Sequence, residues 1–156
     1  AEDGSGHRLS FRLDDDDAID LKLVERSKRI ARRLLPEQED RMPTILCWNK
    51  GFYLDVREDG ENVLTDTHLS MPLAIGNVPI PRPGDGHNPY RYNHRNFPQQ
   101  YNCWSSISEP GFIRSIHAGN SATPYREKRS GELDEGRTAR QIKRHFGLDA
   151  DVLKAL

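Results

Sequence analysis

The chain is 156 residues long, with 23 Lys and Arg against 24 Asp and Glu, for a formal net charge of −1. Hydrophobic residues make up 35% and charged residues 30%, with a mean hydropathy of −0.82. That balance predicts one modest core and excludes a nucleic-acid coat of the bulk electrostatic kind. No apolar run approaches the roughly 20 residues that span a bilayer, and no signal-peptide core is visible.

The chain opens at Ala1 without methionine, which fits methionine removal and cleavage of a targeting segment alike. Residues 1–20 carry seven acidic side chains (Glu2, Asp3, Asp14 to Asp17, Asp20) against Arg8 and Arg12. Residues 1–16 read as a mobile acidic N-terminus. The sign then reverses through Lys22, Arg26, Lys28, Arg29, Arg32 and Arg33. Acid before base is the order a helix dipole favours, so the pattern predicts a helix over 17–35, capped by Asp16 or Asp17 and ended by Pro36. Ile19, Leu23, Ile30 and Leu34 form its apolar stripe, broadened by Val24, Ala31 and Leu35, and its basic face reads as solvated. Adjacent carboxylates at a helix start point in different directions, so the D-D-D-D tract does not mark a metal site.

From 44 to 65 the apolar period changes to two. T-I-L-C-W, F-Y-L-D-V and N-V-L-T predict a three-stranded antiparallel meander, with turns at N-K-G and R-E-D-G-E. Phe52, Leu54 and Val56 face one side, where the N-terminal helix covers them; Tyr53, Asp55 and Arg57 face the other. Residues 17–66 thus form a small α+β unit.

Eight of the ten prolines fall between Pro72 and Pro124. Proline lacks the amide donor of a ladder, so 67–130 reads as a long irregular extended segment. It carries many aromatic side chains, which solvated linkers generally lack. Residues 131–156 predict a short helical hairpin. Thr138 and Gln141 form a capping box, Gly147 ends the first helix and Asp149 caps the second. The fold class is therefore α+β: a three-stranded meander with one N-terminal helix, an extended segment and a C-terminal hairpin.

The hairpin resembles a helix-turn-helix over the last 20 residues, with Ile142, Phe146, Val152 and Leu153 at packing positions. It departs from that motif at Lys143, where a small residue is usual, and in its short second helix with Asp149 and Asp151 at the end that meets phosphates. The resemblance implies DNA binding; the departures favour docking on protein. His87 and His94, with Asp85 nearby and His117 further on, lack the spacing of a zinc knuckle. Cys103 with His117 has no hydrolase context, and G-D-G at 84–86 lacks the helix and lysine of a phosphate loop. Cys47 and Cys103 read as reduced thiols, with a disulfide as the alternative.

Tyr90, Arg91, Tyr92, Arg95, Phe97, Tyr101 and Trp104 remain. Tyrosine, tryptophan and arginine dominate interface hot spots, so these are the candidate partner-binding residues. The expectation is a non-enzymatic accessory subunit of a large multiprotein assembly, holding other protein subunits and needing no cofactor or metal. By analogy the assembly is a mitochondrial respiratory-chain or ATP synthase complex, ahead of an organellar ribosome, which places the chain in an organelle. The alternatives are a DNA-binding regulator using the hairpin and a small metal-dependent enzyme centred on His87 and His94.

Overall fold

A computed structural model describes residues 7–11, 13, 15–34, 44–60, 62–79, 96–118 and 134–155. The elements run β1 (His7–Phe11), β2 (Ala18–Ile19), α1 (Leu23–Leu34), β3 (Thr44–Asp55), β4 (Val63–Pro79), α2 (Phe97–Gln100), β5 (Asn102–Ser106), β6 (Phe112–Ile116), α3 (Glu135–Phe146) and α4 (Ala150–Lys154). The fold is mixed α+β. Among the described residues six strands form the sheet, in the order β1-β4-β3-β6-β2, with β5 also pairing β3.

The sheet is mixed, not a three-stranded antiparallel meander. Residues 49–51, expected as a turn, lie inside the continuous strand β3. The reason is steric. A Cβ on Gly51 would sit 2.6 Å from the ring and from the carbonyl oxygen of Phe112, so the glycine admits a neighbouring strand rather than bending the chain. Gly60 does turn, at a φ of 76°, between β3 and β4. The proline-rich stretch is also more regular than expected. β4 runs through Pro72 to Pro79, and β5 and β6 both pair parallel to β3.

The chain packs as two compact units, each discontinuous in sequence: 1–13, 23–49 and 70–106 in the first, 14–22, 50–69 and 107–156 in the second. In the first unit β1 pairs antiparallel with the end of β4, His7 opposite Pro79 through Phe11 opposite Ile75. β5 lies parallel to the first half of β3, Thr44 opposite Asn102 through Trp48 opposite Ser106. Ile45, Cys47 and Tyr101 form a small apolar cluster. Trp48 is held on its other sides: its Nε1 donates to Ser27 Oγ at 3.3 Å, the Arg26 guanidinium lies 4.8 Å from its ring, and Trp104 meets it edge-on at 5.7 Å.

These contacts explain where α1 departs from expectation. It begins at Leu23, and Asp16 and Asp17 do not cap it. Leu23 and Ala31 are buried and Ile30 and Leu34 half-buried, but Val24 is exposed while Arg26 and Ser27 are buried. The helix has turned to bring a cation and a hydroxyl to Trp48. Ile19 belongs to β2, and Leu35 and Pro36 lie outside the described residues. Both cysteines are free, Cys47 buried and Cys103 exposed. Burial, with the neighbouring Cys103, pushes the Cys47 thiol far up, and burial raises Cys103 as well, so neither is thiolate at neutral pH.

The second unit has a core of strand and helix side chains. β6 pairs parallel with the second half of β3, Gly51 opposite Phe112 through Asp55 opposite Ile116, and β2 closes antiparallel on the start of β6. Phe52, Leu54, Leu64 and Ile113 from the strands meet Ile142, Phe146, Ala150 and Leu153 from α3 and α4. The Phe52 and Phe146 rings cross at 77° with centroids 6.2 Å apart. The Phe52–Leu54 face is thus covered by the C-terminal hairpin. That hairpin buries Ile142, Phe146, Ala150 and Leu153 on the chain's own strands.

The caps explain the hairpin's shape. Asp134, not Thr138, caps α3 by accepting from Arg137 N at 3.0 Å; Thr138 is buried within the helix. Gly147 ends α3 in the left-handed region at a φ of 71°, and Asp149 caps α4 by accepting from Asp151 N at 3.0 Å. Leu153 packs inward while Val152, expected beside it, is 60% exposed. Buried Asn62 ties the β3–β4 turn to α4, accepting from Arg57 N at 2.9 Å and donating to Leu153 O at 3.2 Å.

Ile142 is fully buried in this core, so Ile142→Ala will cost about 2–5 kcal/mol of unfolding free energy. Val152→Ala will stay within about 0.5 kcal/mol. Urea denaturation of both variants checks the assignment of inward and outward faces.

Candidate active site at the acidic turn

The acidic tract does not start a helix. Asp15 and Asp16 form a turn, Asp17 follows, and Ala18–Ile19 pair with Ile113 and Phe112 of β6. Aspartate side chains stabilise such turns by accepting from backbone and hydroxyl donors. The donors here come from the end of β6. Ser115 N donates to Asp17 Oδ1 at 3.3 Å, and Ser115 Oγ lies 2.9 Å from Asp16 O and 2.8 Å from Asp16 Oδ2. One hydroxyl proton serves both of those acceptors. Two residues further on, His117 Nε2 lies 2.9 Å from the same Asp16 Oδ2.

Period-two geometry makes this possible. Ile113, Ser115 and His117 alternate along one face of the strand and its continuation. Ile113 enters the core, Ser115 is buried beneath the turn, and His117 emerges at the carboxyl end of the parallel pair β3 and β6. Carboxyl ends of parallel strands are where such sheets leave room for ligands. The site opens to solvent, with the His117 side chain 40% and that of Asp16 30% exposed.

The Asp16 carboxyl is held below the usual carboxylate range. The Ser115 hydrogen bond contributes most; burial opposes it, and the hydrogen bond and charge of His117 add to the lowering. Asp16 is therefore an ionised acceptor at neutral pH, a group for binding hydroxyls or positive charge rather than for giving up a proton. Among the described residues no group of three His, Cys, Asp or Glu is arranged to hold a metal ion.

A sequence model of the family described as "Putative rhamnosyl transferase" matches residues 1–129. The chain belongs to this family. No curated protein and no solved structure matches the chain. The matched residues of this rhamnosyl transferase family member include the acidic turn, Ser115 and His117, and stop short of α3. The family description names an enzyme, which runs against the non-enzymatic expectation drawn from the missing catalytic motifs.

Of the expected partner-binding residues, Phe97, Tyr101 and Trp104 are among the described residues. Tyr90, Arg91, Tyr92 and Arg95 lie outside the described residues, as do Asp85, His87 and His94. Phe97 begins α2, Tyr101 is buried against Ile45 and Cys47, and half-buried Trp104 stands against Trp48. Cys103 Sγ donates to Tyr101 O at 3.6 Å, whereas His117 pairs with Asp16. No helix among the described residues is long and apolar enough to cross a membrane. Sequence reasoning missed Asp16, Asp17 and Ser115. The available signal was R-L-S-F-R-L, an alternating strand pattern that leads straight into the acidic tract, and S-I-H, the same alternation later in the chain.

Because the Asp16 carboxyl is lowered in the folded chain, its charge stabilises the fold above the ordinary carboxylate value of 3.8, and that contribution fades as pH falls through the lower folded value. Asp16→Asn will therefore melt below wild type at neutral pH, with the gap closing as the pH falls below the ordinary carboxylate range. Thermal melts across that range check it.

Proposed function

We propose that this chain carries the donor-sugar site of a rhamnosyl transferase, formed by the turn Asp15–Asp17 with Ser115 and His117. The single observation that carries the reading is an ionised carboxylate held at the mouth of parallel strands by a buried serine and a half-exposed histidine, within the residues matched to the family. In sugar transfer the bond from the anomeric carbon to the leaving phosphate oxygen breaks, and the oxygen keeps the electron pair. A bond forms from the acceptor hydroxyl to that carbon, and the hydroxyl proton passes to a base. Positive charge develops on the sugar ring as the leaving group departs. A fixed carboxylate such as Asp16 stabilises that charge or accepts from the sugar hydroxyls.

His117 fits the base. With Nε2–H donating to Asp16, its lone pair sits on Nδ1, the atom that would take the acceptor's proton. Magnesium takes one or two carboxylates and fills its shell with water and phosphate oxygens, a donor set that Asp16 and Asp17 fit; when bound it would neutralise a leaving diphosphate.

Assembly with other proteins stands as a separate reading, supported by the exposure of Leu21, Ile107 and Val152 at 71%, 66% and 60%. It predicts association without turnover. Titration calorimetry with a nucleoside diphosphate-rhamnose and magnesium separates the two. The 156-residue chain will bind the donor, and Asp16→Asn and Asp17→Asn will each weaken binding by about tenfold or more. Equal affinity in wild type and both variants would rule out the turn as the donor site.

A further inference from the structure

The acidic turn is fastened on two sides. Ser115 holds Asp16 and Asp17 from β6, as described above. On the downstream side, Asp20 follows β2 by one residue and is 3% exposed. A carboxylate so deeply buried needs donors on both oxygens. Lys22 N donates to Oδ1 at 2.8 Å, and His145 Nδ1 lies 2.6 Å from Oδ2. His145 belongs to the last turn of α3, and its backbone carbonyl accepts from Leu21 N at 2.8 Å. Asp20 N in turn donates to Gly111 O at 3.0 Å, just before β6 begins.

The span between the two fastenings is short. Only Ala18 and Ile19 separate Asp17 from Asp20, and both sit in the ladder with β6. His145 is one of the groups that hold the buried Asp20 carboxylate, so removing its ring nitrogen loosens the downstream fastening of β2 and, with it, the turn on Ser115.

We infer that His145 is a positioning residue for the acidic-turn site, acting through Asp20 and β2 on Asp16 and Asp17 without touching either. This rests on the reading of that turn as the donor site. It goes beyond the family assignment, because His145 lies after the matched residues 1–129.

The test compares two variants in the full chain. His145→Phe keeps a ring beside Phe146, whose centroid lies 6.4 Å from that of His145, but removes the donor. His145→Asn places an amide donor where Nδ1 was. Two readouts are taken: the NMR resonances of the Ser115 amide and His117 ring, and calorimetric affinity for nucleoside diphosphate-rhamnose with magnesium. His145→Phe will remain folded by circular dichroism, shift both resonances and weaken donor binding by about tenfold, the usual cost of removing an orienting partner. His145→Asn will restore both. A folded His145→Phe with Ser115 and His117 unmoved would overturn the inference. If His145→Phe does not fold, His145→Ala replaces it beside His145→Asn: resonances shifted in the alanine variant and restored in the asparagine variant support positioning by a donor, and resonances unmoved in the alanine variant refute it. Absence of donor binding in wild type would sink the donor-site reading alone, since the resonances still report whether His145 sets the turn.

Discussion

Ser115 gives its amide to Asp17 and its hydroxyl to Asp16, and the rest of the second unit is arranged around that double attachment. Consecutive carboxylates repel, and a turn that draws them together survives only if nearby donors offset the repulsion. Those donors must come from a rigid element. β6 is rigid because it lies along β3 with its inward side chains in the core, and it can lie there because Gly51 leaves room for Phe112. A methyl group at residue 51 would push β6 away, and Ser115 and His117 would leave with it.

The same dependence runs from the core to the site through the C-terminal hairpin. α3 and α4 cover Phe52, Leu54 and Ile113, while the end of α3 reaches Asp20 and Leu21. The helices that the family match leaves out therefore complete the core beneath residues that the match includes. Packing and polar attachment come from one element, which couples the stability of the unit to the geometry of its acidic turn.

Much of the fold was legible in local signals and little of the site was. Gly60, Gly147, Asp149 and the inward pair Phe52 and Leu54 follow directly from turn chemistry, capping and alternation. The acidic tract misled because acid followed by base satisfies a helix dipole as well as it satisfies a turn; the deciding partner, Ser115, lies about a hundred residues away. Asn49-Lys50-Gly51 misled for a related reason: glycine's missing side chain serves close approach as readily as a bend, and only Phe112 shows which. Proline density in the middle of the chain argued against ladders, yet β5 and β6 fall in its proline-free intervals. Long-range pairing of this kind leaves no periodic trace within either partner alone.

Ser115 fixes the ionised state and place of Asp16. Carboxyl-resolved NMR titration of Asp16, in wild type and in Ser115→Ala, tests it most directly. The midpoint will lie below the ordinary value of 3.8 in wild type and return towards that value once the hydroxyl is gone. Identical midpoints in the two proteins would contradict it.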